Sequence, residues 1–76
     1  MAGLVVECDP EPRRGEVPVR FGRPGRMRSV AEVLDCWESE AHRDFRVRGD
    51  DGCLYILRHD LRRDHWELRF FRHGQA

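Results

Sequence analysis

Apolar and polar residues alternate through much of this chain, most cleanly in its second half. Asp44-Phe45-Arg46-Val47-Arg48 places Phe45 and Val47 on one face. Cys53-Leu54-Tyr55-Ile56-Leu57-Arg58 is apolar on both faces, as suits a strand with neighbours on either side. His65-Trp66-Glu67-Leu68-Arg69-Phe70-Phe71 alternates again, with Trp66, Leu68 and Phe70 together. A period of two predicts half-buried strands. Gly49-Asp50-Asp51-Gly52 ends in Asp-Gly, a hairpin signal, and His59–Asp64 reads as a second loop. A three-stranded meander is therefore expected over residues 44–71. Upstream, Val17-Pro18-Val19-Arg20-Phe21 also alternates, with Pro18 confining it to an edge or a strand start. Gly22-Arg23-Pro24-Gly25 reads as a turn and Arg26-Met27-Arg28 as the return strand.

The segment that follows supports two structures. Val30, Val33, Leu34 and Trp37 fall at i, i+3, i+4 and i+7, the spacing of one helix face. Ser29 with Glu32 makes a capping-box pattern, which predicts a short helix over 30–41. The alternative continues the strand from Arg26. A β-bulge near Ala31-Glu32 then returns Val30 and Val33 to one face despite their odd spacing.

Residues 1–16 hold Pro10, Pro12 and Gly15 among mixed charges and are expected to be a flexible arm or an edge strand, with Leu4-Val5-Val6 as its strand-forming part. Residues 17–76 are expected to form a single small β-rich domain. A chain of 76 residues buries only roughly 60–65% of its unfolded surface, so one core is all it supports. The expected core is Val19, Phe21, Met27, Val30, Val33, Leu34, Trp37, Phe45, Val47, Tyr55, Leu57, Trp66, Leu68 and Phe70. About five antiparallel strands of this length predict a twisted sheet or a half-open SH3-like barrel; the helical reading of 30–41 makes the fold α+β instead.

Composition changes this picture in two respects. Net charge is zero, yet the charge is segregated: −3 over residues 1–12, +5 over 13–28, −4 over 29–51 and +2 over 52–76. All fourteen basic residues are arginine, whose planar fork suits phosphate and carboxylate. The three cysteines, Cys8, Cys36 and Cys53, have neither the number nor the spacing of a disulfide framework or a paired zinc site. Cys36 and Cys53 are expected as half-buried thiols. No apolar run reaches the roughly 18 residues of a membrane span, and the N-terminus lacks the basic start of a secretory signal. A cytoplasmic protein is the expectation.

The order Pro18-Val19-Arg20-Phe21, Gly25-Arg26, Val30-x-x-Val33-Leu34-x-x-Trp37, Phe45-Arg46-Val47, Gly52-x-x-Tyr55-x-Leu57-x-x-Asp60 and Trp66-x-Leu68 resembles a family of small uncharacterised bacterial domains. Members occur alone and near or fused to Y-family, error-prone DNA polymerase-like proteins. The resemblance covers roughly residues 17–71. It implies a mainly β fold through 30–41 and a link to nucleic acid or to damage-tolerance polymerases. The chain departs from the pattern at Gly22-Arg23-Pro24 and Met27, where a tryptophan and a tyrosine are usual, at Ile56, more often charged, and around Ala41-His42, which lacks an aromatic pair.

No catalytic constellation is legible. Gly22-x-x-Gly25 lacks the following lysine and the strand–loop–helix setting of a phosphate loop, and no carboxylate pair or Cys–His pair stands out. His42, His59, His65, His73 and the cysteines show no metal-ligand spacing, so no metal and no cofactor are assigned. A core this small is expected to leave no cleft of about 300 Å³ or more. The expected function is a non-enzymatic binding or adaptor module. Its candidate nucleic-acid or partner-binding residues are Arg20, Arg23, Arg26, Arg28, Arg62, Arg63 and Arg69. The alternative is a homodimerising interaction domain with Ile56 and Phe71 at the interface. The arrangement of the arginines separates the two, because phosphate binding needs clustered cations that are not already ion-paired.

Overall fold

The computed structural model describes residues 4–11 and 15–72; the side chains of Glu11 and Phe70, and His73 with the rest of the tail, lie outside that set. Six strands follow one another: β1 (Val5–Glu11), β2 (Gly15–Arg23), β3 (Arg26–Glu38), β4 (His42–Gly49), β5 (Leu54–Asp60) and β6 (His65–Arg72). They pair antiparallel in chain order. A bridge between Leu4 and Trp66 brings the first strand back to the last, so the sheet curls into a half-barrel. The mainly β, half-open fold expected from the alternation is the one that forms, with β1 as a sixth strand. No helix among the described residues could cross a membrane.

The helix expected over 30–41 does not form. That segment is the second part of β3, and two irregularities resolve its spacing. Val30 pairs with Gly49 and Glu32 with Arg48, leaving Ala31 as an extra residue; Val33 pairs with Val47 and Asp35 with Arg46, leaving Leu34 as another. The first bulge keeps Val30 and Val33 packed against the core. β3 pairs with β2 only over Arg26–Ser29 and with β4 from Val30 onward. It is therefore the corner where the sheet turns on itself, and bulges supply the bend.

β1 and β2 use the same device. Glu7 faces Arg20 while Cys8 faces Pro18, so Val19 is the extra residue and Pro18 and Phe21 are both buried. The part of β2 that carries Pro18 has no β3 partner, which spares the missing N–H a place in a two-sided ladder.

The buried core is Phe21, Phe45, Val47, Cys53, Tyr55 and Leu57, with Leu4, Val6, Val17, Val30, Val33 and Trp66 packed against it. Several expectations are corrected here. Trp37 is 49% exposed, because it stands opposite Asp44 on the outer face. Leu68 is 46% exposed although it stands opposite fully buried Leu57, since it lies on the last strand. Val19, Met27 and Leu34 are half-buried and outside the cluster, and Cys36 is exposed. A bulge at Arg69 changes the parity of β6, so Phe71 stands opposite Tyr55. Phe71 is thus on the core side of the sheet, and only Ile56, half-buried, is on the outer face.

The outer face of β3–β5 is a lattice of cross-strand ion pairs. Glu32 meets Arg48, Asp35 meets Arg46, and Asp44 takes both arms of the Arg58 guanidinium at 2.9 and 3.0 Å. The acidic middle of the chain is spent largely on neighbouring arginines. Opposite charges directly across a sheet favour the register that pairs them, a strand register that a helix would break.

Candidate functional site

A meander places its turns at alternate ends. The Pro24-Gly25 turn and the Asp50–Cys53 turn share one end with the last residues of β6; the 39–41 connection and the 61–64 loop share the other. The arginines expected to act together are therefore divided, with Arg23, Arg26 and Arg28 at the first end and Arg62 and Arg63 at the second.

At the first end four strands, β2, β3, β5 and β6, are tied together with the β4–β5 turn. Phe21 packs edge-on against Tyr55 at 4.7 Å, and Tyr55 against Phe71 at 5.1 Å. Arg28 reaches Asp50 at 3.1 Å and Asp51 at 3.3 Å. The Tyr55 hydroxyl donates to Asp51 at 2.7 Å and the Cys53 backbone N–H donates to it at 3.0 Å. Burial, with the hydrogen bond to Asp51, holds the Tyr55 phenol well above its ordinary pKa. Burial works to raise the Asp51 carboxyl too, but Tyr55, Cys53 and Arg28 outweigh it and the value lies low. A Cβ on Gly49 would sit 3.0 Å from the Tyr55 ring and 2.8 Å from an Asp51 carboxylate oxygen, so any side chain there would press on this cluster.

Around that cluster, Arg23 and Arg26 flank the turn and Arg72 closes β6, opposite Leu54. All three are exposed, and no ion pair engages them among the described residues. Of the other candidates, Arg20 pairs with Glu7 at 3.2 Å, Arg28 with the two aspartates, and Arg69 with Glu67 at 3.1 Å. The hydrogen bond from Arg69, with one from His65, lowers the Glu67 pKa. Arg62 and Arg63 are exposed and without ion pairs among the described residues. Their backbone N–H groups hold the Asp60 side chain at 3.0 Å, Arg63 first in effect, and so lower its pKa.

The second end holds a cleft of about 410 Å³ lined by Val6, Cys8, Glu16, Arg43, His59, Leu61, Asp64 and Trp66, contrary to the expectation that a core this small leaves none. The His59 ring stacks on Trp66 at 4.4 Å and 6° and bonds Asp64 through Nε2 at 2.8 Å. Trp66 turns toward Phe45 as well, at 5.9 Å, so it is a packing residue. The Arg43 guanidinium lies 5.0 Å over the Phe45 ring and donates to the Glu16 carbonyl at 3.4 Å. Asp64 sits at φ 55°, a left-handed conformation that aspartate tolerates better than most residues. Burial, then the Glu16 and Asp9 carboxylates, raise the Cys8 pKa against the pull of Arg43. A thiol held in its protonated form is a poor nucleophile.

The sequence carried one signal for this cleft. Extending the alternation two residues back from Phe45 and two beyond Leu57 puts Arg43 and His59 on the core side. No group of three His, Cys, Asp or Glu side chains converges for a metal among the described residues; His73 lies outside them. No protein-family model, curated protein or solved structure matches this chain.

Proposed function

We propose that this chain is a non-enzymatic binding module that contacts single-stranded nucleic acid at the end of the half-barrel formed by the β2–β3 turn and the end of β6. The observation that supports it is the company Phe71 keeps: an aromatic ring 48% exposed at the end where Arg23, Arg26 and Arg72 make no ion pair among the described residues. A stacking ring beside cations that reach phosphates is the usual economy of sequence-tolerant single-strand binding. The neutral total charge limits this to a small footprint. The link to polymerase-like proteins belongs to the same proposal and rests on the sequence resemblance alone.

Fluorescence titration of an oligonucleotide against salt tests it. Three phosphate contacts predict a slope near −2 in log K against log salt, at about −0.7 per contact for single strands. Arg23→Ala and Arg26→Ala each lower the slope by about 0.7, Phe71→Ala costs about 1–3 kcal/mol, and Arg62→Ala with Arg63→Ala changes neither. No binding at low salt, or binding indifferent to salt, overturns the proposal.

A homodimer is the second reading, favoured by the exposed apolar side chains Leu68 and Phe71 on the last strand of the sheet. Sedimentation should then show a dimer that Phe71→Lys dissociates; a monomer at all concentrations sinks it.

A further inference from the structure

The proposed nucleic-acid site draws on two halves of the curled sheet. Arg23 and Arg26 sit on the β2–β3 hairpin, whose strands pair only over residues 20–23 and 26–29. Phe71 and Arg72 sit on β6, with β4 and β5 between. After Ser29, β3 leaves β2 and bends at the Ala31 bulge. A bulge re-aims a strand, so the angle between the hairpin and β6 has to be fixed by contacts across the corner. The edge-on packing of Phe21 and Tyr55 at 4.7 Å supplies the apolar part.

The polar part is centred on Arg28. Its Nη1 donates to Asp50 at 3.1 Å and lies 3.3 Å from Asp51. Beside it the Asp50 backbone N–H donates to the Ser29 carbonyl at 2.9 Å, and the Ser29 N–H donates to the Asp50 carboxylate at 3.3 Å. Asp51 accepts from the Tyr55 hydroxyl, and the Tyr55 ring lies 5.1 Å from Phe71. A continuous path therefore leads from the arginine hairpin through Arg28 and Asp51 to the exposed ring. One exposed ion pair contributes little. Here a single guanidinium meets two carboxylates, each of them also held by a backbone N–H, so several bonds share the geometry. Two acids at an end that meets phosphates oppose binding through their charge, unless they serve another purpose.

Resting on the nucleic-acid reading, we infer that Arg28, Asp50 and Asp51 are positioning residues of that site. They lock the hairpin carrying Arg23 and Arg26 to the strand carrying Phe71, at a spacing that lets one single strand meet the cations and the ring together. They do not touch it themselves, so Arg28 leaves the set of phosphate contacts in which the sequence placed it. Two subsites joined rigidly act as one; with the link loosened, the second contact is made at a lower effective concentration.

Oligonucleotide titration at low salt, with residual dipolar couplings measured on the same isotope-labelled protein, tests this. Asp50→Asn keeps the size of the side chain and removes its charge. It should weaken binding about fivefold, as the loss of one hydrogen-bonded contact does. Couplings from residues 20–29 should then no longer fit the orientation of β4–β6 as one body, a change that lower stability alone does not cause in the folded protein. If Asp50→Asn fails to fold, Arg28→Gln should act in the same direction on both readouts. Reversing the pair, Arg28→Asp with Asp50→Arg, should recover most of the binding lost in Arg28→Asp alone. Equal or tighter binding by Asp50→Asn overturns the positioning role, because the acids then only repel phosphate. So do couplings that still fit one body, or a reversed pair no better than Arg28→Asp. Wild-type protein that binds no oligonucleotide at low salt overturns the nucleic-acid reading as a whole; wild-type binding with Asp50→Asn and Arg28→Gln unchanged overturns the positioning role alone.

Discussion

Trp37 is the residue at which pattern and structure part most sharply. Its place at i+7 from Val30 reads as the last member of a buried face. In the folded chain it stands opposite Asp44 on the outer face, beside a recess of about 160 Å³ shared with His42 and Arg58. The contrast with Leu57, fully buried, is measurable. Trp37→Ser should change unfolding free energy by no more than about 0.5 kcal/mol, whereas Leu57→Ala should cost about 2–5 kcal/mol. Denaturant unfolding of the two variants distinguishes them, and a large loss at Trp37 would mean that its ring is packed after all. The same distinction explains why Tyr55 is central: its ring joins Phe21 to Phe71 while its hydroxyl is satisfied by Asp51, so a polar atom in the core costs little.

Among the elements, β3 decides the fold. A helix over 30–41 would bury Val30, Val33, Leu34 and Trp37 together and leave Glu32 and Asp35 in water. The strand instead buries Val30 and Val33, spends Leu34 on a bulge, and pairs both acids with β4 arginines. β-Branched residues at 30 and 33 favour the extended form as well. The extra residues are the hinge of this arrangement. Deleting Ala31 should slip the register by one and send Val30 or Val33 to the outer face, with loss of cooperative unfolding or a stability drop of several kcal/mol, about the worth of one or two buried apolar side chains. Circular dichroism during heating reads the outcome; an unaltered melt would show that the bulge is dispensable. Gly22 serves the neighbouring turn with φ 147°, and a Cβ there would collide with the Arg26 carbonyl.

For the molecule as a whole, the hydrogen bonds and burial of a few titratable groups set its response to pH. The Asp51, Asp60 and Glu67 carboxyls all titrate below their ordinary values in the folded state. The unfolded chain therefore binds protons first as pH falls, so stability is complete above about pH 4 and is lost below it as the folded carboxyls protonate. At the alkaline end the sign reverses. The Tyr55 phenol is raised in the folded state, so the unfolded chain loses its proton first and stability declines as pH rises beyond about 10. Unfolding experiments across pH should show both limbs, with Asp51→Asn flattening the acid one and Tyr55→Phe the alkaline one. Unchanged limbs in these variants would place the linkage elsewhere.

The three strands of the second half, their meander and the turns at 22–25, 49–52 and 59–64 were legible in the sequence, because period-two alternation and glycine- or Asp-Gly-rich turn chemistry are local properties. Phe45, Val47, Tyr55 and Leu57 were legible as core for the same reason. What only the tertiary structure decided depends on partners far along the chain: that 30–41 is a bulged strand, that Trp37 faces outward, that Leu68 stays exposed on the last strand, that the arginines divide between two ends, and that Arg43, His59 and Cys8 meet in one cleft. A bulge shifts parity by one residue and a curled sheet joins its first strand to its last. Neither leaves a mark within the short window in which periodicity is read.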